Sequence, residues 1–209
     1  MKILVTAATD YELQFIDVTD NITVVNTGIG ISSTVYNLTK LFNCHFDLAL
    51  NVGIAGGFSG KTVVGDVVTV YSEVFGDFGI AAQNGFLTCF EKNLLSKDLF
   101  PFQDGRLISE RAKSVAESLD IPCVKGVTNN TVSGEKERIR AVSAKFSPDI
   151  ETMEGAAFFY VCLLENVPFV EIRSISNLVE PRDESKWNIP LAVKNLSEKV
   201  NLYIKQIDG

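Results

Sequence analysis

Short apolar runs alternate with longer stretches of helical periodicity along the chain, and this alternation restricts the fold more than any other feature. Runs rich in β-branched residues predict strands, and the predicted strands are residues 2–8, 22–26, 48–52, 66–71, 123–127 and 169–175. Strands that alternate with helices predict an α/β fold with a largely parallel central sheet. No repeat or linker divides the 209 residues, so we expect one domain over 1–209.

The helical segments have distinct characters. Apolar residues recur at helical spacing in 32–42, 110–119 and 189–207, which predicts amphipathic helices. Residues 155–164 are apolar on nearly every face, which predicts a buried helix. Ser133 is the predicted cap of a further helix that ends near 146. Residues 76–106 are the least regular part and read as a long functional loop or flap.

Charge and cysteine content exclude several classes of protein. Acidic residues outnumber basic ones by 26 to 19, so phosphates repel the chain and we expect neither nucleic acid nor an anionic membrane surface as a partner. The four cysteines form no CxxC pair, which argues against disulfides and a zinc site and favours the cytoplasm. The longest run without a charge or a strongly polar group, 155–164, is far shorter than the about 20 residues that a bilayer requires.

The single histidine limits the available chemistry. His45 lies between Cys44 and Phe46 just before a predicted strand, where a structural or surface role is the better interpretation. Without a histidine among the candidate catalytic residues, acid–base chemistry would have to rely on carboxylates.

Two glycine-rich segments each follow a predicted strand. Residues 26–30 resemble the start of a dinucleotide fingerprint, but Ser33 occupies the third glycine position and Asp47 opens a strand rather than ending one, so we reject that interpretation. Residues 51–58 predict a loop whose bare backbone could lie against a flat ring, with a simple tight turn as the alternative. Without lysine or arginine in 51–60, a phosphate there would have only N–H groups.

Three charged residues occupy unusual positions. Glu12 lies just past the first strand, where open α/β sheets place ligand residues, and Glu154 opens the buried helix. Stabilisation of the helix dipole would explain either acid without a function. Arg173 interrupts an apolar strand, which indicates a buried acidic partner, and Glu12 is a candidate for that partner.

Four stretches in register with Glu12, residues 51–58, 65–70, 151–157 and 172–182, resemble the purine nucleoside phosphorylase and nucleosidase superfamily. Within it, the chain is similar to methylthioadenosine/S-adenosylhomocysteine nucleosidases and, more specifically, to futalosine hydrolases of menaquinone biosynthesis. The resemblance implies a three-layer α/β/α sandwich around a mixed, twisted sheet. It also implies no metal and no cofactor, and it makes a homodimer the cautious expectation.

The resemblance assigns roles by position. Glu12 matches the carboxylate that activates water, and Arg173 matches an arginine that helps to hold that water and carboxylate. Met153 and Glu154 match the ribose site. The remaining substrate-binding positions that it implies are Ile54, Ala55 and Gly56 beside the base, Val132 near the base-stacking segment with Thr131, and Ser176.

Asn177 is a departure from the adenine-specific members of the superfamily, which resemble this chain but have aspartate there. The Asn177 amide has one donor end and one acceptor end. Its NH₂ group can meet the O6 of a 6-oxopurine while its oxygen receives N7–H, whereas adenine would leave a group unpaired at a cost of about 1–3 kcal/mol. Asn177 therefore favours a hypoxanthine-type base, and futalosine is such a nucleoside.

The 5′ group of futalosine ends in a carboxylate. Phe75, Phe78 and Phe86 are candidate walls for an apolar slot, and Arg182 is a candidate for the carboxylate because guanidinium binds it bidentately. An equally good interpretation of Arg182 is a surface ion pair with Glu180 or Asp183.

Three hypotheses of function follow. The first is a futalosine hydrolase that releases hypoxanthine and dehypoxanthine futalosine. The second is a nucleosidase of the methylthioadenosine/S-adenosylhomocysteine or inosine type. The third is a nucleoside-binding or regulatory protein, against which Glu12, Glu154 and Arg173 together argue, because a pure binder needs no water-activating carboxylate.

Overall fold

The computed structural model describes residues 1–83 and 85–208. These residues form ten strands: β1 (Ile3–Ala7), β2 (Ile22–Asn26), β3 (Leu48–Gly57), β4 (Val67–Glu73), β5 (Gly79–Ala82), β6 (Gly85–Thr88), β7 (Leu107–Ile108), β8 (Cys123–Thr128), β9 (Ile150–Thr152) and β10 (Phe169–Leu178). The α-helices are α1 (Asp10–Leu13), α2 (Gly30–Leu41), α3 (Ala112–Leu119), α4 (Lys136–Phe146), α5 (Gly155–Leu164) and α6 (Ile189–Asp208).

The central sheet closes on itself. Its order is β10-β4-β8-β9-β3-β1-β2, and β10 also pairs with β3, so β3, β10, β4, β8 and β9 form a ring. Five strand pairs are parallel and three are antiparallel. The α/β class and the mixed, largely parallel sheet are confirmed. The ring closure is a feature that the prediction of a sandwich did not include.

The helices pack against the sheet in two apolar clusters. Residues of α2 and α5, such as Leu38 and Phe158, belong to one cluster, and residues of α3 and α6, such as Val115 and Leu196, belong to the other. Helix α5 buries seven of its ten residues, as its uniformly apolar sequence predicts. Apolar burial of this kind is the main source of stability.

Strands β3 and β10 extend beyond their predicted ends, at 52 and 175. The prediction that 51–58 forms a loop was wrong, since β3 continues to Gly57. Glycine has low strand propensity, so the sequence signal ends too early. Pairing with β10 supplies the missing order, with Gly53 opposite Arg173 and Gly56 opposite Asn177.

Other local predictions also need correction. The irregular region 76–106 contains the β5–β6 hairpin rather than one long loop; residue 84, within it, lies outside the described residues. The three-residue strand β9 was missed. Ser133 does not cap α4, whose N-cap is Glu135; the Ser133 side chain instead donates to Glu151.

The described residues contain no helix with both the length and the apolar character needed to cross a bilayer. The four cysteines are all free thiols.

Candidate active site

Ten of the eleven predicted site residues line one cavity of about 490 Å³, beside the ends of β1, β3, β9 and β10. They are Glu12, Ile54, Ala55, Gly56, Val132, Met153, Glu154, Ser176, Asn177 and Arg182. The eleventh, Arg173, is buried beneath the cavity and does not line it. A cavity of this size suits a small organic ligand. The structure brings these residues together, while their roles stay predictions.

Glu12 is held by hydrogen bonds to both of its carboxylate oxygens. It lies in the single turn α1, directly after β1, and is 5 % exposed. Its Oε2 accepts from the backbone N–H of Thr9 at 3.0 Å and from Thr9 Oγ1 at 2.7 Å, and its Oε1 accepts from the backbone N–H of Ile54 at 2.9 Å. The helix start and strand β3 therefore fix the carboxylate at the cavity wall.

Gly53 allows Arg173 to approach Glu12. A Cβ at Gly53 would overlap Arg173 Nη1 and would lie 2.7 Å from Glu12 Oε1. Only a residue without a side chain leaves room for both groups, so the guanidinium and the carboxylate lie beside each other over the bare backbone of β3.

The partner of Arg173 is Glu171, and the prediction of Glu12 as its partner was wrong. Arg173 Nε donates to Glu171 Oε1 at 2.7 Å, and both side chains are fully buried. The two residues are two positions apart on β10, so their side chains share one face of the strand. This spacing was the signal in the sequence that could have identified Glu171.

Glu154 immediately precedes α5 and faces the first glycine segment. Its Oε1 accepts from the backbone N–H of Gly30 at 2.9 Å, so this helix-start amide binds a protein carboxylate. Burial raises the pKa of Glu154, and the nearby charge of Arg173 opposes that rise. The buried position of this carboxylate at the cavity is the one that the sequence predicts.

Asn177 has a defined orientation. Its Oδ1 accepts from Ser176 Oγ at 2.8 Å, and its Nδ2 donates to the backbone carbonyl of Leu178 at 3.0 Å. Ser176 Oγ also lies 3.3 Å from the carbonyl oxygen of Ala55, which ties the pair to β3. One N–H hydrogen and one oxygen lone pair of the amide remain for a ligand.

Glu151 is a buried carboxylate at the cavity that the sequence analysis did not assign to the site. Its Oε1 accepts from Asn129 Nδ2 and from Ser133 Oγ, each at 2.7 Å, and its Oε2 accepts from the backbone N–H of Ser133 at 2.8 Å. These bonds anchor the segment that carries Val132. The acid has three donors around it, which makes it a structural anchor for that wall.

Arg182 lies at the Asn177 end of the cavity. A side pocket there of about 80 Å³ is lined by Arg182, Asn177 and Gly56, and not by Glu12. The guanidinium lies over the ring of Trp187 at 5.1 Å and pairs with Glu184 at 2.9 Å. The surface pair weighed for Arg182 is thus present, but its partner is neither Glu180 nor Asp183.

The three predicted aromatic walls do not line this cavity. Phe75 packs against Phe78, Phe102 and Tyr160. Phe86 lines a separate cavity beside α4, because Lys145 of that helix holds the β6 backbone through the carbonyl oxygen of Phe86 at 3.0 Å. The prediction that these three phenylalanines form the walls of an apolar slot at the cavity was therefore wrong.

The single histidine is a surface residue. His45 is exposed, its Nε2 lies 3.1 Å from Asp47 Oδ1, and it does not line the cavity. Within residues 1–83 and 85–208, no group of three or more histidine, cysteine, aspartate or glutamate side chains is arranged to hold a metal ion.

A carboxylate pair beside a cavity at the strand ends, with an amide at one end, defines a small-molecule enzyme site on an α/β sheet. The chain belongs to the phosphorylase superfamily, whose family model matches residues 6–205.

The relatives narrow the class. The chain is 31 % identical to a futalosine hydrolase of Thermus thermophilus, over 88 % of this chain and 82 % of that one. It is 29 % identical to a 5′-methylthioadenosine/S-adenosylhomocysteine nucleosidase of Anoxybacillus flavithermus, over 90 % of this chain and 82 % of that one. These relatives are hydrolases of nucleosides by name.

Solved structures share the fold. A 5′-methylthioadenosine/S-adenosylhomocysteine nucleosidase from Colwellia psychrerythraea, in complex with adenine, has a TM-score of 0.82 at 20 % identity. The match covers 99 % of this chain and 96 % of that chain. The futalosine hydrolase of Helicobacter pylori has a TM-score of 0.80 at 18 % identity and covers 99 % of this chain and 98 % of its own.

Proposed function

We propose that this protein is a futalosine hydrolase, which cleaves the N-glycosidic bond of futalosine to hypoxanthine and dehypoxanthine futalosine in menaquinone biosynthesis. The observation that carries the proposal is that Glu12, Glu154 and Asn177 line one cavity. Similarity to futalosine hydrolases at 31 % and 27 % identity supports the same substrate.

Glu12 is the proposed general base. Its Oε2 already accepts two hydrogen bonds from Thr9, whereas its Oε1 accepts only the Ile54 N–H and keeps a lone pair for an incoming water molecule. Breaking the glycosidic bond builds positive charge on the ribose, and a water on the Glu12 side would attack it as Glu12 takes the proton. Arg173, behind Glu12, contributes positive charge beside the carboxylate without lining the cavity.

Glu154 and Met153 form the proposed ribose site. Glu154 Oε1 accepts from the backbone N–H of Gly30 at 2.9 Å, and within residues 1–83 and 85–208 no hydrogen bond of standard geometry reaches Oε2, so Oε2 is available to accept from sugar hydroxyls. A ligand hydroxyl that donates to this second oxygen would be stabilising, because a buried carboxylate without a partner costs free energy. Its negative charge would stabilise the cationic sugar in the transition state.

Asn177 is the proposed reader of the base. The remaining Nδ2 hydrogen would donate to O6, and the remaining Oδ1 lone pair would accept N7–H as the base departs. Beside it, Ala55 and Gly56 offer backbone with little side chain, and Val132 offers an apolar surface for the ring. Ser176 fixes the amide in this orientation.

The scarcity of basic side chains at the cavity wall favours hydrolysis over phosphorolysis. Among the described residues that line the cavity, Arg182 is the only lysine or arginine, and its guanidinium is paired with Glu184. An inorganic phosphate would therefore have no free cation at the wall, whereas a water molecule needs only Glu12.

A substrate panel tests the proposal. Futalosine, methylthioadenosine and inosine are incubated with the protein, and the released base is measured by chromatography. We expect hypoxanthine from futalosine with kcat/KM about tenfold or more above that for methylthioadenosine, since the adenine mismatch at Asn177 costs about 1–3 kcal/mol. Preferential release of adenine would make the protein a methylthioadenosine-type nucleosidase, and binding without release would make it a binding protein.

The proposal extends to organisation and location. We propose a single domain over 1–209 in a three-layer α/β/α arrangement, located in the cytoplasm, where free thiols persist. We also propose a homodimer, in which a second copy covers Tyr11 and Ile29, two large side chains that line the cavity but are about half exposed. Sedimentation at several concentrations checks the dimer, and a monomer at all of them would exclude it.

A further inference from the structure

A second group of charged side chains lies buried behind the cavity. Glu73 at the end of β4 and Glu171 on β10 are both fully buried, and neither lines the cavity. Arg173 is the only cation among the described residues that pairs with this group. The charged groups that face Arg173 are Glu171, Glu154, Glu12 and Glu73, and Glu73 also faces Glu171. More carboxylates than cations are therefore present in this buried region.

The hydrogen bonds of this group are incomplete. Glu73 Oε2 accepts from Thr128 Oγ1 at 2.9 Å, and its Oε1 lies 3.5 Å from Thr152 Oγ1, at the limit of a hydrogen bond. Glu171 Oε1 accepts from Arg173 Nε at 2.7 Å. Among the described residues, nothing donates to Glu171 Oε2. A fully buried carboxylate oxygen without a donor is expensive.

The two carboxylates converge at one point. A Cβ at Gly155, the first residue of α5, would lie 2.8 and 2.9 Å from the two Glu171 oxygens, and it would overlap Glu73 Oε1. Two ionised carboxylates this close in a buried site would repel each other strongly, so one of them must keep a proton. A proton on Glu73 would also give Glu171 Oε2 its missing donor.

We propose that Glu73 and Glu171 share one proton, and that Glu171 thereby positions the Arg173 guanidinium beside Glu12. The proton is covalently bound to Glu73 Oε1 and is donated to Glu171 Oε2, which leaves Glu171 as the anion that binds Arg173 Nε. Burial first, and the charge of Glu171 second, raise the pKa of Glu73 well above its ordinary value.

The pair formed by Glu73 and Glu171 explains how Arg173 and Glu12 can be neighbours without forming an ion pair. Glu171 binds Arg173 through Nε, which directs Nη1 over Gly53 towards Glu12. The counter-charge of Arg173 is thus supplied from behind, and Glu12 stays bonded to backbone and hydroxyl donors. Glu171 is a positioning residue, and its kinetic role rests on the hydrolysis proposed above.

The kinetic test compares variants of similar size. In Glu171→Gln the guanidinium loses its anion, and we expect kcat on futalosine to fall about 10²-fold with KM within about threefold, as for other misplaced catalytic groups. In Glu73→Met the donor is lost, and kcat should fall about tenfold. In Glu73→Gln the side-chain NH₂ replaces the acid O–H, and kcat should be restored to within about threefold of the wild type. A KM effect alone, or equal kcat values in Glu73→Met and Glu73→Gln, would overturn the proposal.

An infrared measurement tests the shared proton without any substrate. The difference spectrum of wild-type protein minus Glu73→Gln at neutral pH should show the C=O band of a protonated carboxylic acid, shifted by ¹³C labelling of glutamate. A spectrum without this band would overturn the proposal even if the kinetics agreed, and it remains decisive if Glu171→Gln does not fold. Because the protein is ligand-free, this result is independent of which nucleoside, if any, is hydrolysed.

Discussion

The cavity has two ends that differ in how their side chains are held. The inner end consists of Glu12 and Glu154, with Arg173 behind them, and each is 6 % exposed or less. The outer end consists of Val132, Arg182 and Trp187, where Val132 is 38 % exposed and the Arg182 side chain is 54 % exposed. The two ends meet at Asn177.

The difference lies in what fixes each group. Backbone N–H groups of β3 and of the helix starts fix the inner carboxylates, and such groups move only with the elements that carry them. The outer end depends on an exposed ion pair, which typically contributes about 0–1 kcal/mol. Chemistry that requires fixed geometry fits the inner end, and contacts that adapt to a substituent fit the outer end.

The largest effect should come from the inner end. Glu12→Gln removes the proposed general base, and we expect kcat to fall about 10²–10⁴-fold with little change in substrate affinity. Hypoxanthine release measures kcat, and calorimetry measures binding. Asp10→Asn, in the same turn but exposed, is the matched control and should stay near wild type. Near-normal turnover of Glu12→Gln would remove Glu12 from its role.

Asn177 joins the two ends, and its replacement should change selectivity more than rate. In Asn177→Asp, a protonated acid can donate to N7 of adenine while its other oxygen accepts from the amino group. We expect the ratio of kcat/KM for futalosine to that for methylthioadenosine to fall about ten- to a hundredfold. Competition between the two substrates in one assay measures the ratio, and an unchanged ratio would show that Asn177 does not read the base.

Burial at the inner end should appear in the pH dependence of stability. Burial raises the pKa values of Glu73, Glu171 and Glu154. The native state therefore keeps protons that the unfolded chain loses above pH 4.5, so the free energy of unfolding falls as pH rises from there through the raised native pKa values. Each proton contributes a slope of at most about 1.4 kcal/mol per pH unit. Glu73→Gln should flatten this fall in urea titrations at a series of pH values.

A surface carboxylate gives the matched control, with the opposite sign. Hydrogen bonding to Lys145 lowers the pKa of Glu91 to about 2, so its contribution is present above pH 4.5 and is lost as pH falls towards 2. Glu91→Gln should remove that contribution, so the free energy of unfolding should fall less between pH 4.5 and 2 while its slope above pH 4.5 stays that of the wild type. An identical pH profile for wild type and Glu73→Gln would contradict the buried-acid interpretation.

The smallest effect should come from the outer end. Because Arg182 is half exposed and already paired with Glu184, Arg182→Ala should change KM less than about threefold, and equally for futalosine and inosine. Initial rates on both substrates measure this. A rise in KM for futalosine alone would show that the guanidinium binds the 5′ carboxylate, and the outer end would then contribute to specificity.

The sequence located much of the site because strand ends are visible in it. Glu12 follows the first apolar run and Glu154 precedes the buried helix, so the order of residues alone was enough to place Glu12 past a strand end and Glu154 at the start of that helix. The partner of Arg173 was assigned wrongly, although the spacing of Glu171 carried the signal. Glu151 and Glu73 were missed because a buried acid is identified by its donors, which come from distant parts of the chain.

Local propensity and periodicity determined the order of strands and helices, the buried character of α5 and the residue types available for chemistry, since these depend on neighbours in the chain. Only the tertiary structure decided that β10 pairs with both β3 and β4, that glycine-rich β3 is a strand, and that Glu171 binds Arg173. Those features depend on contacts between residues far apart in sequence, whose energies no single segment contains.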